Sequence, residues 1–157
     1  MQPNSTDLAA AATTGVTVSL LGEVATRRDG RLVPLPGLRA RTLLAALARE
    51  PGRPRSAATL IDEVWGEDPP RAPLGALHTQ ISRLRPALPD GALESGTAGY
   101  RLVLDRTDVD LTLVRICAQR AQHQHTTGEH RTALATIAQA RAAWRGEPGS
   151  DLADGDL

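Results

Sequence analysis

Lysine and phenylalanine are both absent from this chain of 157 residues. All 18 basic side chains are therefore arginine, the side chain whose planar fork suits phosphate and guanine, although a GC-rich genome produces the same bias. Trp65, Tyr100 and Trp144 are the only aromatic residues, so the core has to be built from Leu, Val, Ile and Ala, and a cofactor box of stacked rings is excluded. Cys117 is the single cysteine, which rules out an intrachain disulfide and points to a reducing, cytoplasmic setting. No apolar run approaches the roughly 20 residues of a membrane span. The opening stretch MQPNSTDLAAAATTG lacks the basic and long apolar regions of a secretory signal, and its small polar residues read as a disordered leader over residues 1–15.

Catalytic and metal chemistry also lack their residues. There is no Ser, His and Asp set in recognisable context and no Gly-rich phosphate loop. Asp62 and Glu63 are adjacent, so on a helix they point about 100° apart and cannot share a site. Cys117, His123 and His125 lie close in sequence but on different sides of a helix, without a closed ligand set. The expectation is no enzyme, no cofactor and no metal.

The formal net charge is zero, but it is unevenly spread. Residues 16–106 carry 13 Arg against 10 acids, whereas residues 107–157 carry 5 Arg against 7 acids. The excess in the first part is a weak basic footprint.

Hydrophobic spacing divides the chain into elements. VTVSLLGEV alternates as a strand does, and RRDGRLVPL sets the turn pair Asp29 and Gly30 between apolar flanks, so a small antiparallel sheet opens the fold. LRARTLLAALAREPG places Leu43, Leu44 and Leu47 on one helical face and stops at Pro51 and Gly52. SAATLIDEVWG offers Ser56 as an N-cap, buries Leu60, Ile61, Val64 and Trp65, and ends at Gly66. LESGTAGYRLVL reads as two short strands around a turn. Two Ala-rich helices follow, at about 111–126 and 129–145, and the acidic, Gly-rich GEPGSDLADGDL reads as a frayed tail.

Between the second helix and the two strands lies LGALHTQISRLRPAL, in which Leu74, Leu77, Ile81, Leu84 and Leu88 recur at intervals of three and four. That spacing buries one stripe of a helix, which Pro86 ends or bends near Arg85. Thr79, Ser82 and Arg83 then point away from the stripe, with His78 and Gln80 on its shoulders and Arg85 beside them. Small hydrogen-bonding groups and guanidinium forks are what base edges and phosphates require. A solvated amphipathic helix is the plainer alternative.

A sheet, three helices and a hairpin form the layout of a winged helix-turn-helix, an α+β fold, here followed by an α-helical hairpin. LLG at 20–22, LIDEVWGEDPP at 60–70, ISRLRPAL at 81–88 and GYRL at 99–102, in this order and spacing, make the sequence resemble the amino-terminal half of the Streptomyces antibiotic regulatory protein family, with its OmpR-type winged helix. The resemblance covers roughly residues 16–145. It implies a DNA-binding domain over 16–106 and, through AWRGEP at 143–148, the start of that family's helical activation domain over 107–157, which continues further in the family. It implies an activator of secondary-metabolite genes that binds direct repeats in double-stranded DNA, pairs on them as a homodimer and contacts RNA polymerase. Leu74, Gly75 and Pro86 depart from the family pattern, and with the shortened helical part they imply weaker binding by a single copy.

On this reading Thr79, Gln80, Ser82 and Arg83 read the major groove and Arg85 clamps a phosphate or pairs with a carboxylate. Thr97 and Arg101 of the wing reach backbone or minor groove, with Gly96 and Gly99 allowing close approach. Tyr100 either joins them or packs its ring on the third helix. Ser56 is accounted for by capping, and Trp65 by the core. Glu67, Asp68 and Arg71, in the loop after Trp65, contact polymerase or are simply solvated. A rival from another class stays open: an interaction module that pairs with a longer regulator or polymerase without productive DNA binding.

Overall fold

The structure is a computed structural model and describes residues 15–152; residues 1–14 of the expected leader and the last five residues lie outside the described range. Val16 and Val18 point inward from β1 (Val16–Ser19), which pairs antiparallel with β2 (Ala25–Arg28), itself paired with β3 (Arg31–Val33). Asp29 and Gly30 turn the chain between β2 and β3 with φ of 50° and 79°, the left-handed pair that a two-residue hairpin requires.

Three helices follow as the spacing predicts: α1 (Leu38–Ala48), α2 (Ala57–Trp65) and α3 (Pro73–Leu84). Ser56 caps α2 by accepting from the Thr59 amide at 3.1 Å, and the Arg39 guanidinium donates to the Val64 carbonyl at its other end. Leu43, Leu44 and Leu47 of α1, Leu60 and Val64 of α2, and Leu77, Ile81 and Leu84 of α3 close on one another as the core. Three core expectations are corrected. Leu74 is 57% exposed, because the first turn of α3 projects past the edge of the core beside the Pro-rich connector. Ile61 and Trp65 sit at the rim, only partly buried against the cluster, toward the end of α2.

A 3₁₀ turn (Arg85–Ala87) carries the chain past Pro86, and β4 (Leu93–Gly96) and β5 (Gly99–Leu102) form the second hairpin. After a further 3₁₀ turn (Arg106–Asp108), α4 (Asp110–Thr126) and α5 (His130–Ala143) pack as an antiparallel pair. Small side chains let them approach: Cys117, Ala121 and Ala133 are buried, and Thr136 donates to Gln124 Oε1 at 2.8 Å. Among the described residues no helix is long and apolar enough to cross a membrane.

The helical pair is anchored to the first sheet. Val109 bridges Val18, and Asp110 accepts from the amides of Leu20 at 2.8 Å and Leu21 at 3.1 Å, donors that follow the end of β1. The last described residues bind the same loop, which corrects the expected frayed tail as far as Leu152. Gly149 donates to the Leu20 carbonyl and Ser150 to that of Gly22, at 3.0 and 3.2 Å. Asp151 accepts from the Val24 amide at 2.7 Å and pairs with Arg41 at 2.8 Å, and Leu152 joins the core. Asp151 thus acts as a structural acceptor for a distant loop rather than as part of a solvated charge run.

Asp110→Ala leaves two partly buried amides without their acceptor and should cost about 2 kcal/mol. The check is the urea midpoint at unchanged m-value, with Asp110→Asn, which keeps one oxygen acceptor, recovering part of the loss. An unmoved midpoint for the alanine variant contradicts the anchoring role.

Candidate nucleic-acid interface

Because Leu77, Ile81 and Leu84 face the core, α3 presents His78, Thr79, Ser82 and Arg83 to solvent. Thr79 Oγ1 donates to the Gly75 carbonyl at 3.0 Å, which fixes its rotamer and leaves its lone pairs outward. The Arg83 side chain has no hydrogen bond or ion pair among the described residues. Gln80 is half-buried, and its Oε1 is enclosed without a partner. Arg85 has left the helix for the 3₁₀ turn and donates to Ser95 Oγ at 3.2 Å, tying the end of α3 to the second hairpin.

That hairpin is a wing with two unlike faces. Leu93, Leu102, Tyr100 and Ser95 line the side toward the core and α3, while Glu94 and Arg101 share the outer side as a cross-strand pair. Tyr100 is 9% exposed and its ring meets His78 edge-on with centroids 6.3 Å apart, so of its two expected roles packing on the third helix is the one displayed. Thr97 and Ala98 form the exposed tip. Arg101 is held by Glu94, with Nη2 at 2.6 Å and Nε at 2.7 Å from Oε2. Sequence reasoning missed Glu94 and Ser95 as partners. Counting outward from the two-residue turn Thr97–Ala98 pairs position 94 with 101 and was the available signal.

Gly99 corrects another expectation. Its missing Cβ admits the chain's own backbone, since a Cβ there would lie 2.0 Å from the Arg55 carbonyl oxygen, at φ of 111°. This approach permits a pair of backbone hydrogen bonds, Arg55 N to Tyr100 O at 2.7 Å and Tyr100 N to Arg55 O at 2.9 Å, which joins the wing to the start of α2. Gly96 has open space around it. The nearby arginines are committed to acids: Arg55 and Arg49 to Glu63, and Arg53 to Glu50 at 2.8 Å.

Glu67, Asp68 and Arg71 lie exposed on the loop between α2 and α3, beside a shallow hollow lined by Ala58, Ile61, Pro69, Pro73 and Leu74. Cys117 is buried inside the helical pair, and His125 and His130 bring their Nδ1 atoms to 3.2 Å at its exposed end. Among the described residues no group of three or more His, Cys, Asp or Glu is placed to hold a metal ion.

Comparison with known proteins gives a consistent picture. Residues 36–102 match the family model described as "Transcriptional regulatory protein, C terminal". Regulatory protein AfsR of Streptomyces griseus is 36% identical over 129 residues, covering 82% of this chain and 13% of AfsR. Regulatory protein DnrI of Streptomyces peucetius is 28% identical over 141 residues, covering 83% of this chain and 52% of DnrI. A solved structure of Mycobacterium tuberculosis EmbR, in complex with a low-affinity phosphopeptide, superposes with a TM-score of 0.84 at 29% identity, over 89% of this chain and 38% of that one. The chain thus spans about half the length of DnrI and much less of AfsR. These relatives are regulators, and the winged-helix fold read from the sequence is the one observed.

Gly99→Ala has to displace the Arg55 backbone and should cost about 3 kcal/mol or more, whereas Gly96→Ala should cost under about 1 kcal/mol. Urea denaturation of the two variants checks this, and equal midpoints would contradict the close approach.

Proposed function

We propose that this chain, a regulator of the Streptomyces antibiotic regulatory protein type, binds promoter DNA with the outer row of α3 in the major groove and the wing tip toward the adjacent minor groove. The observation that carries this reading is the solvent exposure of His78, Thr79, Ser82 and Arg83 on a helix whose opposite face is locked in the core. Arg83, free of partners among the described residues, is the base reader by its forked geometry, which favours guanine. Thr79, Ser82 and the amide nitrogen of Gln80, whose Oε1 is enclosed, supply shorter contacts. Arg85, steered by Ser95, takes a phosphate at the end of the helix, and Thr97 reaches the backbone from the tip. Tyr100 positions the wing.

The sites are direct repeats upstream of secondary-metabolite genes, where two copies lie head to tail, since a repeated rather than inverted site calls for a heterologous contact. Activation runs through RNA polymerase, with Glu67, Asp68 and Arg71 on the exposed loop as the contact. The protein works in the cytoplasm, with residues 16–106 as the DNA-binding domain and the helical pair beyond them as part of an activation domain.

A second reading, an interaction module that engages a longer regulator or polymerase without productive DNA binding, draws on the zero net charge and on Leu134, Ile137 and Trp144, which stand exposed on and just after α5. Salt titration on a direct-repeat duplex separates the two. The DNA-binding reading expects affinity that falls steeply with salt and a preference for the repeat over a scrambled duplex. Arg83→Ala should weaken repeat binding by about 1–3 kcal/mol and scrambled binding by less. No retention of either duplex at low salt would leave the interaction module in place.

A further inference from the structure

The wing contains one cation and one anion, and the fold sets them against each other. Within residues 93–102 Arg101 is the only basic side chain and Glu94 the only acidic one. Strand register places them directly opposite, on the outer face, with two arginine nitrogens on a single carboxylate oxygen. Their side chains remain 47% and 44% exposed, so this is a surface pair that a competing anion can open. Arg101 and Thr97 line the same shallow hollow beside the tip, together with Glu94, Pro54 and Gly96. The guanidinium is therefore stored next to the part of the wing that comes nearest to a duplex.

We propose that Glu94 is an electrostatic latch that keeps Arg101 neutralised until a seated duplex offers a phosphate in its place, which lowers attraction to DNA of any sequence and leaves discrimination to α3. This rests on the DNA-binding reading above. The latch works because the two partners differ in strength. An exposed carboxylate pair contributes little net free energy, whereas a phosphate that also releases condensed counterions takes the arginine over. Arg85 is held only by a neutral hydroxyl, so no paired anion offsets its charge toward the duplex. The wing thus carries a standing charge beside α3 and a conditional one on its outer face.

The test measures fluorescence anisotropy of a labelled direct-repeat duplex and of its scrambled counterpart, over a range of salt, for the wild type, Glu94→Gln, Arg101→Gln and the double variant. Glu94→Gln should bind both duplexes about two- to fivefold more tightly, with the larger gain on the scrambled one, where the salt slope also steepens by about one. In the Arg101→Gln background the same substitution should bring no gain. An equal gain in both backgrounds overturns the latch, because Glu94 would then act as an isolated negative charge, and so does a Glu94→Gln variant that matches the wild type. If the folded wild type binds neither duplex, the DNA-binding reading itself fails, a result distinct from the loss of the latch alone.

Discussion

The rotation of α3 about its own axis is fixed by Leu77, Ile81 and Leu84, and the rest of the candidate interface follows from it. Each of these side chains is almost fully removed from water, which is worth about 1.5–3 kcal/mol apiece. Turning the helix by one residue would move the stripe by about 100° and expose them. No side chain of the outer row can offset that loss, so the direction of Thr79, Ser82 and Arg83 is dictated by packing on the opposite side. In a chain without phenylalanine the lock is made of leucine and isoleucine, and it is met by the Leu43, Leu44 and Leu47 face of α1.

The wing is positioned by constraints of a different kind. Backbone pairing between Arg55 and Tyr100 binds it to the start of α2, and Gly99 makes that approach sterically possible. Tyr100 against His78, and Arg85 against Ser95, then set its distance from α3. Asp110 and Asp151 each accept backbone donors from the loop after β1, so the helical pair and the final segment are held on the first sheet. The outer row of α3 is left uncovered as a result, which is the condition any groove-reading role requires.

Much of this architecture could be read from local pattern, because it is set by local chemistry. Period-two alternation marked β1, the Asp29–Gly30 pair marked the hairpin, Ser56 marked the start of α2, and the three-four spacing marked α3. What escaped was non-local or a matter of edges. Leu74 continues the apolar spacing but lies past the end of the core, and Trp65 reaches only its rim. Asp151 looked like part of a solvated acidic tail, yet its partner amide on Val24 lies 127 positions away in sequence. Gly99 looked like room for a ligand, and the room is taken by Arg55. At the candidate site the outward residues of α3 were legible from the helical period, while the partners of Arg85 and Arg101 depended on the position and register of the wing.

Amide chemical-shift mapping during titration with a direct-repeat duplex shows whether the outer row of α3 meets DNA. Changes concentrated in residues 78–85 and at the wing tip around Thr97, with residues 110–143 nearly unmoved, are the predicted result. A duplex that shifts the helical pair while leaving α3 silent would mean that DNA does not meet the outer row of α3.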